Sequence, residues 1–384
     1  MRPLIFAAKR LIVLSTILCI PMLPAIAQAP AAPAPDVIVF TNGDQLTGSV
    51  LRGVGDSIVF KSDMAGEVTI PLAKIKELRS NSKFAILPKG APVNRKPIPT
   101  GSLSVGDSSV KVTPPSAPPQ TIADKDLAFI IDDSTYNKEV TGHHRFRDGW
   151  NGAITGGATI VRSTQDGTSF TAGVNAIRAI PTVPWLPRRD RTIFNLVETY
   201  GKLTQPVIPQ TVPPSPNTVA KTSIFHSDIE QDKYLSSRFF VLAIASFDHN
   251  YSQGLNLQQI YGGGVGWTAI QTPKQQFDLT ANIHYERQAF QTPSNNENLI
   301  GATVGEAYLY NFPHSIVFTE SGSFLPAFNE TNAWSANFAA GLALPVYHRF
   351  SFSFGTTDSY LHNPSAGYKN NSFQLVTGVT YSFH

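Results

Sequence analysis

Two short runs hold the side chains best suited to chemistry: His226, Asp228 and Glu230 at every second position, and His284 with Glu286. Residues two apart in an extended strand project from the same face, so each run gathers an imidazole and its carboxylates on one side. A histidine beside an acid can act as a general base, and with a nearby serine the group performs acyl hydrolysis. The matching nucleophile signature is missing, because no Gly-x-Ser-x-Gly sequence occurs. His143-His144 cannot chelate one ion as strand neighbours, which point to opposite faces. Gly262-Gly263-Gly264-Val265-Gly266 has no following lysine and no helical pattern. It therefore reads as a close-packed strand with room for bulky neighbours, not as a phosphate loop. Cys19 is the single cysteine and lies in an apolar stretch, which excludes thiol catalysis, disulfide scaffolds and cysteine-ligated metal centres. No catalytic, cofactor-binding or metal-ligating residue is assigned, and no cofactor is required. The histidines and acids read first as the polar lining of a barrel and second as parts of a hydrolase.

Whatever positions these residues must be β-structure. The chain has 384 residues, 42% hydrophobic and only 15% charged, against about 25% charged in a typical soluble domain. Mean hydropathy is only −0.07, which argues against a helical membrane bundle. Residues 1–27 read as a secretory signal: Arg2, Lys9 and Arg10, then Leu11–Ile20, then Ala25-Ile26-Ala27 with small residues where a signal peptidase checks. Cleavage after Ala27 removes three basic and no acidic residues and leaves 27 of each, so a neutral mature chain gives no reason to expect nucleic acid. Residues 28–35 form an Ala/Pro-rich spacer.

Order is expected from Asp36. Short alternating runs such as Val37–Phe40, Ser57–Phe60 and Val68–Ile70 are divided by Asn42-Gly43-Asp44, Gly53–Asp56 and Asp63–Gly66, the pattern of strands and tight turns. Thr47-Gly48-Ser49 with Gly55-Asp56-Ser57 returns as Thr100-Gly101-Ser102 with Gly106-Asp107-Ser108. One or two small SH3-like or Sm-like β-modules follow from this, a first over 36–82 and a second, repeated copy over 83–133, with a linker over 134–149. Their preferred role is that of a structural spacer with a periplasmic partner.

From Trp150 the chain changes to long segments with period-two alternation. Phe373, Leu375, Thr377, Val379, Tyr381 and Phe383 share one face of the last segment, opposite Ser372, Gln374, Gly378, Thr380 and Ser382. Phe277, Leu279, Ala281, Ile283 and Tyr285 oppose Asp278, Thr280, Asn282, His284 and Glu286 in the same way. Alternation alone fits a soluble sandwich too, but soluble strands average about 5–6 residues and membrane strands about 9–11. The runs here are of the longer kind, and about twelve of them fit between 150–162 and 371–383. An even number closes an antiparallel barrel over 150–384 with both ends on one side and no edge left in lipid. The proline-bearing connection Ile180–Asp190 is too long for a tight turn; it either packs against the N-terminal modules or marks a hairpin miscounted.

Over roughly 150–383 the sequence resembles the salt-induced outer-membrane protein family, a β-barrel domain of unknown function. The likeness rests on Gly149-Trp150-Asn151-Gly152, on Gly262–Trp267, and on Asp358-Ser359-Tyr360-Leu361-His362-Asn363-Pro364 with the closing Gly378–Phe383. A leading region like Asp36–Ser80 also occurs in members. The resemblance implies an all-β outer-membrane barrel without catalysis, its modules in the periplasm. Its partners would be outer-membrane lipid and the barrel-insertion machinery, which reads the strand ending at Phe383. His384 follows the aromatic residue on which such barrels usually finish. A small-solute channel or an envelope-stability element is the leading expectation; a barrel hydrolase and a soluble periplasmic β-protein are the alternatives.

Overall fold

The computed structural model describes residues 35–90, 97–162, 166–205 and 218–383. The expected signal peptide and His384 lie outside the described residues, as does nearly all of the spacer.

Alternating apolar residues in the N-terminal third produce nine short strands: β1 Asp36–Phe40, β2 Gln45–Val54, β3 Ser57–Ser62, β4 Gly66–Pro71, β5 Ile75–Pro88, β6 Gly101–Gly106, β7 Ser109–Thr113, β8 Gln120–Ala123 and β9 Leu127–Asp132. The turns fall where Gly and Asp were read: Gly43, Gly55 and Gly66 take positive φ, and Asp107 and Ser108 do so together between β6 and β7, the geometry of a type I′ hairpin. Both halves repeat one element order, three strands, a single 3-10 turn (Leu72–Lys74, Asp124–Asp126) and a closing strand, with β1 added in front of the first.

Of the one or two modules expected, the structure forms one. The sheet runs β4-β3-β2-β1-β5-β6-β7-β8, and β9 pairs with both β2 and β5. A single core joins Ile38, Ile58 and Phe60 of the first half to Leu103, Val110 and Ile130 of the second. The boundary at 82/83 fails because β5 runs through it. Ser80-Asn81-Ser82 looks like a loop, but it is a bulge at which the pairing with β6 shifts between Ser80 and Lys83 and then continues.

The remaining strands are β10 Trp150–Arg162, β11 Asp166–Ile180, β12 Asp190–Gln205, β13 Thr218–Tyr234, β14 Phe239–Asn250, β15 Leu255–Gln271, β16 Gln275–Phe290, β17 Glu297–Asn311, β18 Val317–Pro326, β19 Trp334–Tyr347, β20 Phe350–Leu361 and β21 Asn371–Phe383. These twelve strands form a closed antiparallel barrel, sealed where β21 meets β10 with Phe383 opposite Gly152. Closure pairs every strand on both sides, which leaves no edge exposed. Register fixes the faces. Leu279, Ile283, Val304, Phe324, Phe338, Phe352 and Val379 point outward and are exposed. Aromatic clusters flank this apolar band: Phe277, Tyr308 and Phe318 towards one end, Phe324, Trp334 and Tyr360 towards the other. Glu306 and Glu320 interrupt the band beside Leu279 and Tyr308, their cross-strand partners.

The connection between β11 and β12 packs on the N-terminal module. Leu186 joins Ala85, Leu87, Ile131, Tyr136 and Val140 in one buried cluster. Trp185 meets Phe129 at 6.3 Å between ring centroids and lies under the Arg52 guanidinium at 5.9 Å. The expected linker is a packed elbow, a short helical segment over Asp133–Thr141 whose Glu139 is buried. Glu139 accepts hydrogen bonds from Thr182 N at 2.7 Å and Thr182 Oγ1 at 2.8 Å, and Arg189 donates to Val140 O at 3.2 Å. The end of the barrel that carries its termini, the module end, is thereby tied to the module.

Candidate functional site

The candidate site is the lumen, and contacts across it show which side chains face inward. Arg191 on β12 reaches Asp278 on β16, with three strands between them along the wall, and Thr199 on β12 reaches Gln374 on β21. Such bonds can form only through the barrel interior. From these anchors the period-two rule orients every neighbour.

Two unlike walls result. On β20, β21, β10, β11 and β12 the inward positions are largely hydroxyl-bearing or small. Thr155 bonds Thr380 at 2.8 Å, Thr380 bonds Ser353 at 3.0 Å, and Thr171 links Thr159 to Thr199, at 2.9 Å to the latter. From β13 to β16 the wall is acidic. Its inward carboxylates are Asp228, Glu230 and Asp232 on β13, Asp248 on β14, and Asp278 and Glu286 on β16. Glycine makes room on β15: a Cβ on Gly266 would lie 2.2 Å from the Phe240 ring. The glycine-rich run is thus the close-packed strand expected of it.

His226 stands between two acids, with Nδ1 2.5 Å from Asp248 and Nε2 2.7 Å from Asp228. Asn195 donates to Asp228 at 3.0 Å, and Ser246 donates to Asp248 at 2.8 Å. His284 lies 3.5 Å from Glu286 and 3.1 Å from the Thr303 hydroxyl. Glu286 also accepts from Gln258 and, at 2.6 Å, from Gln288. Nearer the module end, Arg191 donates through Nε to Asp232 at 2.5 Å and through Nη1 to Asp278 at 2.6 Å. Glu230 is 3.9 Å from the same guanidinium, whose central carbon Cζ lies 5.0 Å from the Phe240 ring centroid.

Of the residues singled out in the sequence, His226 and Asp228 come together, as do His284 and Glu286, while Glu230 belongs with Arg191. Asp278 is on the polar face read from the sequence, whereas Arg191, Asp232 and Asp248 were not singled out, though strand parity marks each as inward. His226 is held at both ring nitrogens and His284 at Nδ1, and among the described residues neither lumen pair is bonded to a serine hydroxyl through its imidazole. Among the described residues no three His, Cys, Asp or Glu side chains converge to hold a metal.

A serine does meet a histidine on the outside. Ser223 Oγ is 2.6 Å from His249 Nε2 near the far end of β13 and β14, and Glu198 also bonds the serine hydroxyl. His249 stacks on Tyr251 with ring centroids 4.9 Å apart. Acyl transfer wants the acid on the imidazole nitrogen opposite the serine. Glu198 stands on the serine side, its second oxygen 3.9 Å from the same Nε2. Acid, serine and histidine are therefore present in an order unlike that of a triad.

No curated protein matches the chain. Among solved structures it is similar to the NanC porin, at 9% identity and a TM-score of 0.38 over 60% of this chain and 100% of that one. An outer membrane channel from Pseudomonas putida F1 gives 11% identity and a TM-score of 0.37 over 63% of this chain and 100% of the other. The KdgM porin, solved in complex with disordered oligogalacturonate, gives 10% and 0.33 over 60% and 99%. Likenesses this remote decide nothing about what the barrel carries. The more specific relation is in sequence: residues 213–383, the barrel from β13 to its closing strand, match the family model described as "Protein of unknown function, DUF481".

Proposed function

We propose that the protein is a non-catalytic, integral outer-membrane β-barrel whose lumen passes small polar solutes, with its N-terminal β-module in the periplasm. The observation that carries this reading is the closed barrel's two-sidedness: exposed Leu, Ile, Val and Phe outside, carboxylates, amides and hydroxyls inside. An apolar band between aromatic girdles fits hydrocarbon flanked by headgroups, and a polar interior fits water. Short turns at the module end, such as Leu235–Arg238 and Thr272–Lys274, and longer connections at the far end, such as His362–Asn370, favour a periplasmic module end. The partners are then outer-membrane lipid, and the insertion machinery at the strand that ends in Phe383. Liposome swelling tests the channel. Vesicles holding the refolded protein should swell in small sugars at a rate that falls with sugar size, and vesicles that swell no faster than empty ones would contradict it.

The family resemblance supports a finer role in the response to salt. Protein levels in cells shifted to raised NaCl test it, and unchanged levels would remove that role without touching the channel. Hydrolysis is the second reading, favoured by the Ser223–His249 contact at 2.6 Å and opposed by the placement of Glu198.

A further inference from the structure

We propose that the lumen is a path for monovalent alkali cations, with a binding point beside Arg191 near the module end; this rests on the channel reading above. The first ground is the sign of the lining. Asp228, Glu230, Asp232, Asp248, Asp278 and Glu286 project inward, and among the described residues Arg191 is the single lysine or arginine that does so. The opposite wall offers neutral hydroxyls and, on β12, Arg191 itself, so a single guanidinium stands against the field of six carboxylates. Enclosed in low-dielectric walls, such a field concentrates counter-ions.

The second ground is independent of charge counting. Arg191 binds one oxygen of Asp232 and one of Asp278. The other oxygen of each, Oδ1, has no partner, and neither has the Tyr234 hydroxyl or the Thr268 hydroxyl. All four side chains are deeply buried, at 0%, 5%, 9% and 1% exposure for Asp232, Asp278, Tyr234 and Thr268. Register turns all four to the interior: Thr268 is the cross-strand partner of Asp278, and Asp232 and Tyr234 are successive inward positions of β13. Buried polar atoms are almost always satisfied, so four orphans in one region mark a place where something binds. One guanidinium faces Asp232, Asp278 and Glu230, and what is missing is positive charge.

Donor chemistry sets the class of ion. Carboxylate and hydroxyl oxygens suit hard cations. Although Arg191 faces three carboxylates, no three His, Cys, Asp or Glu side chains among the described residues are grouped to hold one metal ion, so the donors line a wall and do not cage a divalent ion. A loose site of this kind holds a cation firmly enough to admit it and weakly enough to release it.

The test is the reversal potential of the full-length mature protein in planar bilayers under a KCl gradient. The wild type should favour K+ over Cl− by about fivefold or more, and Asp232→Asn with Asp278→Asn should bring the ratio towards one while keeping the bonds from Arg191. If that double variant does not refold, Thr280→Lys, which adds a positive charge at the next inward position of β16, should lower the ratio in the same way. Conductance without cation preference, or with a preference unmoved by both variants, overturns the cation path and leaves the channel standing. A silent bilayer together with no vesicle swelling overturns both.

Discussion

Arg191 meets three carboxylates inside the barrel, Glu230, Asp232 and Asp278. It is buried, and it neutralises part of the charge of Asp232 and Asp278, which are buried with it. Removing one partner of such a group strands the other charges, a loss of about 3–5 kcal/mol. Arg191→Gln should therefore lower the urea midpoint of the refolded barrel sharply, while Arg287→Gln on the outward face of β16 should leave it nearly unchanged. Equal shifts would mean that Arg191 is not in the interior. At the outer surface, Ser223→Ala should leave any phospholipid hydrolysis by purified protein at its background level. A turnover that the wild type shows and the variant lacks would promote the hydrolase reading. The inward sense of His226, Asp228, His284 and Glu286 was legible from parity alone. The Arg191–Asp278 contact was not, because the two residues lie 87 apart and meet only once the curvature of the closed sheet is set.

At the scale of strands the period-two pattern makes a sharper demand. Charges facing lipid near the midplane cost about 2–4 kcal/mol, whereas lumen positions tolerate them. Leu279→Arg and Phe338→Arg should impair folding into vesicles, and Thr280→Arg and Asn337→Arg should do so much less. Matching losses on both faces would show the alternation to be misassigned. All twelve barrel strands were readable in the sequence because each repeats one simple rule over many residues, whereas the proline-bearing connection left two readings open, of which the structure shows the packing against the module. The module was less so. Its repeated turns suggested two bodies, and only the bulged strand β5 and the double pairing of β9 reveal one core. Ile130→Ala removes a core side chain shared by both halves, a change that typically costs about 2–5 kcal/mol. Hydrogen exchange should then rise together in β1–β3 and in β6–β7. A rise confined to one half would restore two separate modules.

At the scale of the whole molecule, module and barrel are joined through Glu139. Burial pushes its carboxyl up, but hydrogen bonds from Thr182 and Lys138 and the charge of His144 outweigh this and hold it below the usual range. A carboxyl with a lowered folded value contributes docking strength that is complete above its unfolded value of 4.5 and is lost as pH falls through the folded one. Pepsin cleavage near the exposed Phe146 should accordingly accelerate as pH drops below 4.5. Measured against pepsin's own rise on an unfolded substrate, the excess acceleration should vanish in Glu139→Gln, and a variant that keeps the excess would place the switch elsewhere.

Cell fractionation decides whether the closed barrel resides in lipid. The mature protein should sediment with the outer membrane, stay there through carbonate and urea washes, and migrate faster on gels when unheated than when boiled. Recovery in the soluble periplasmic fraction, with one mobility whether heated or not, would contradict it.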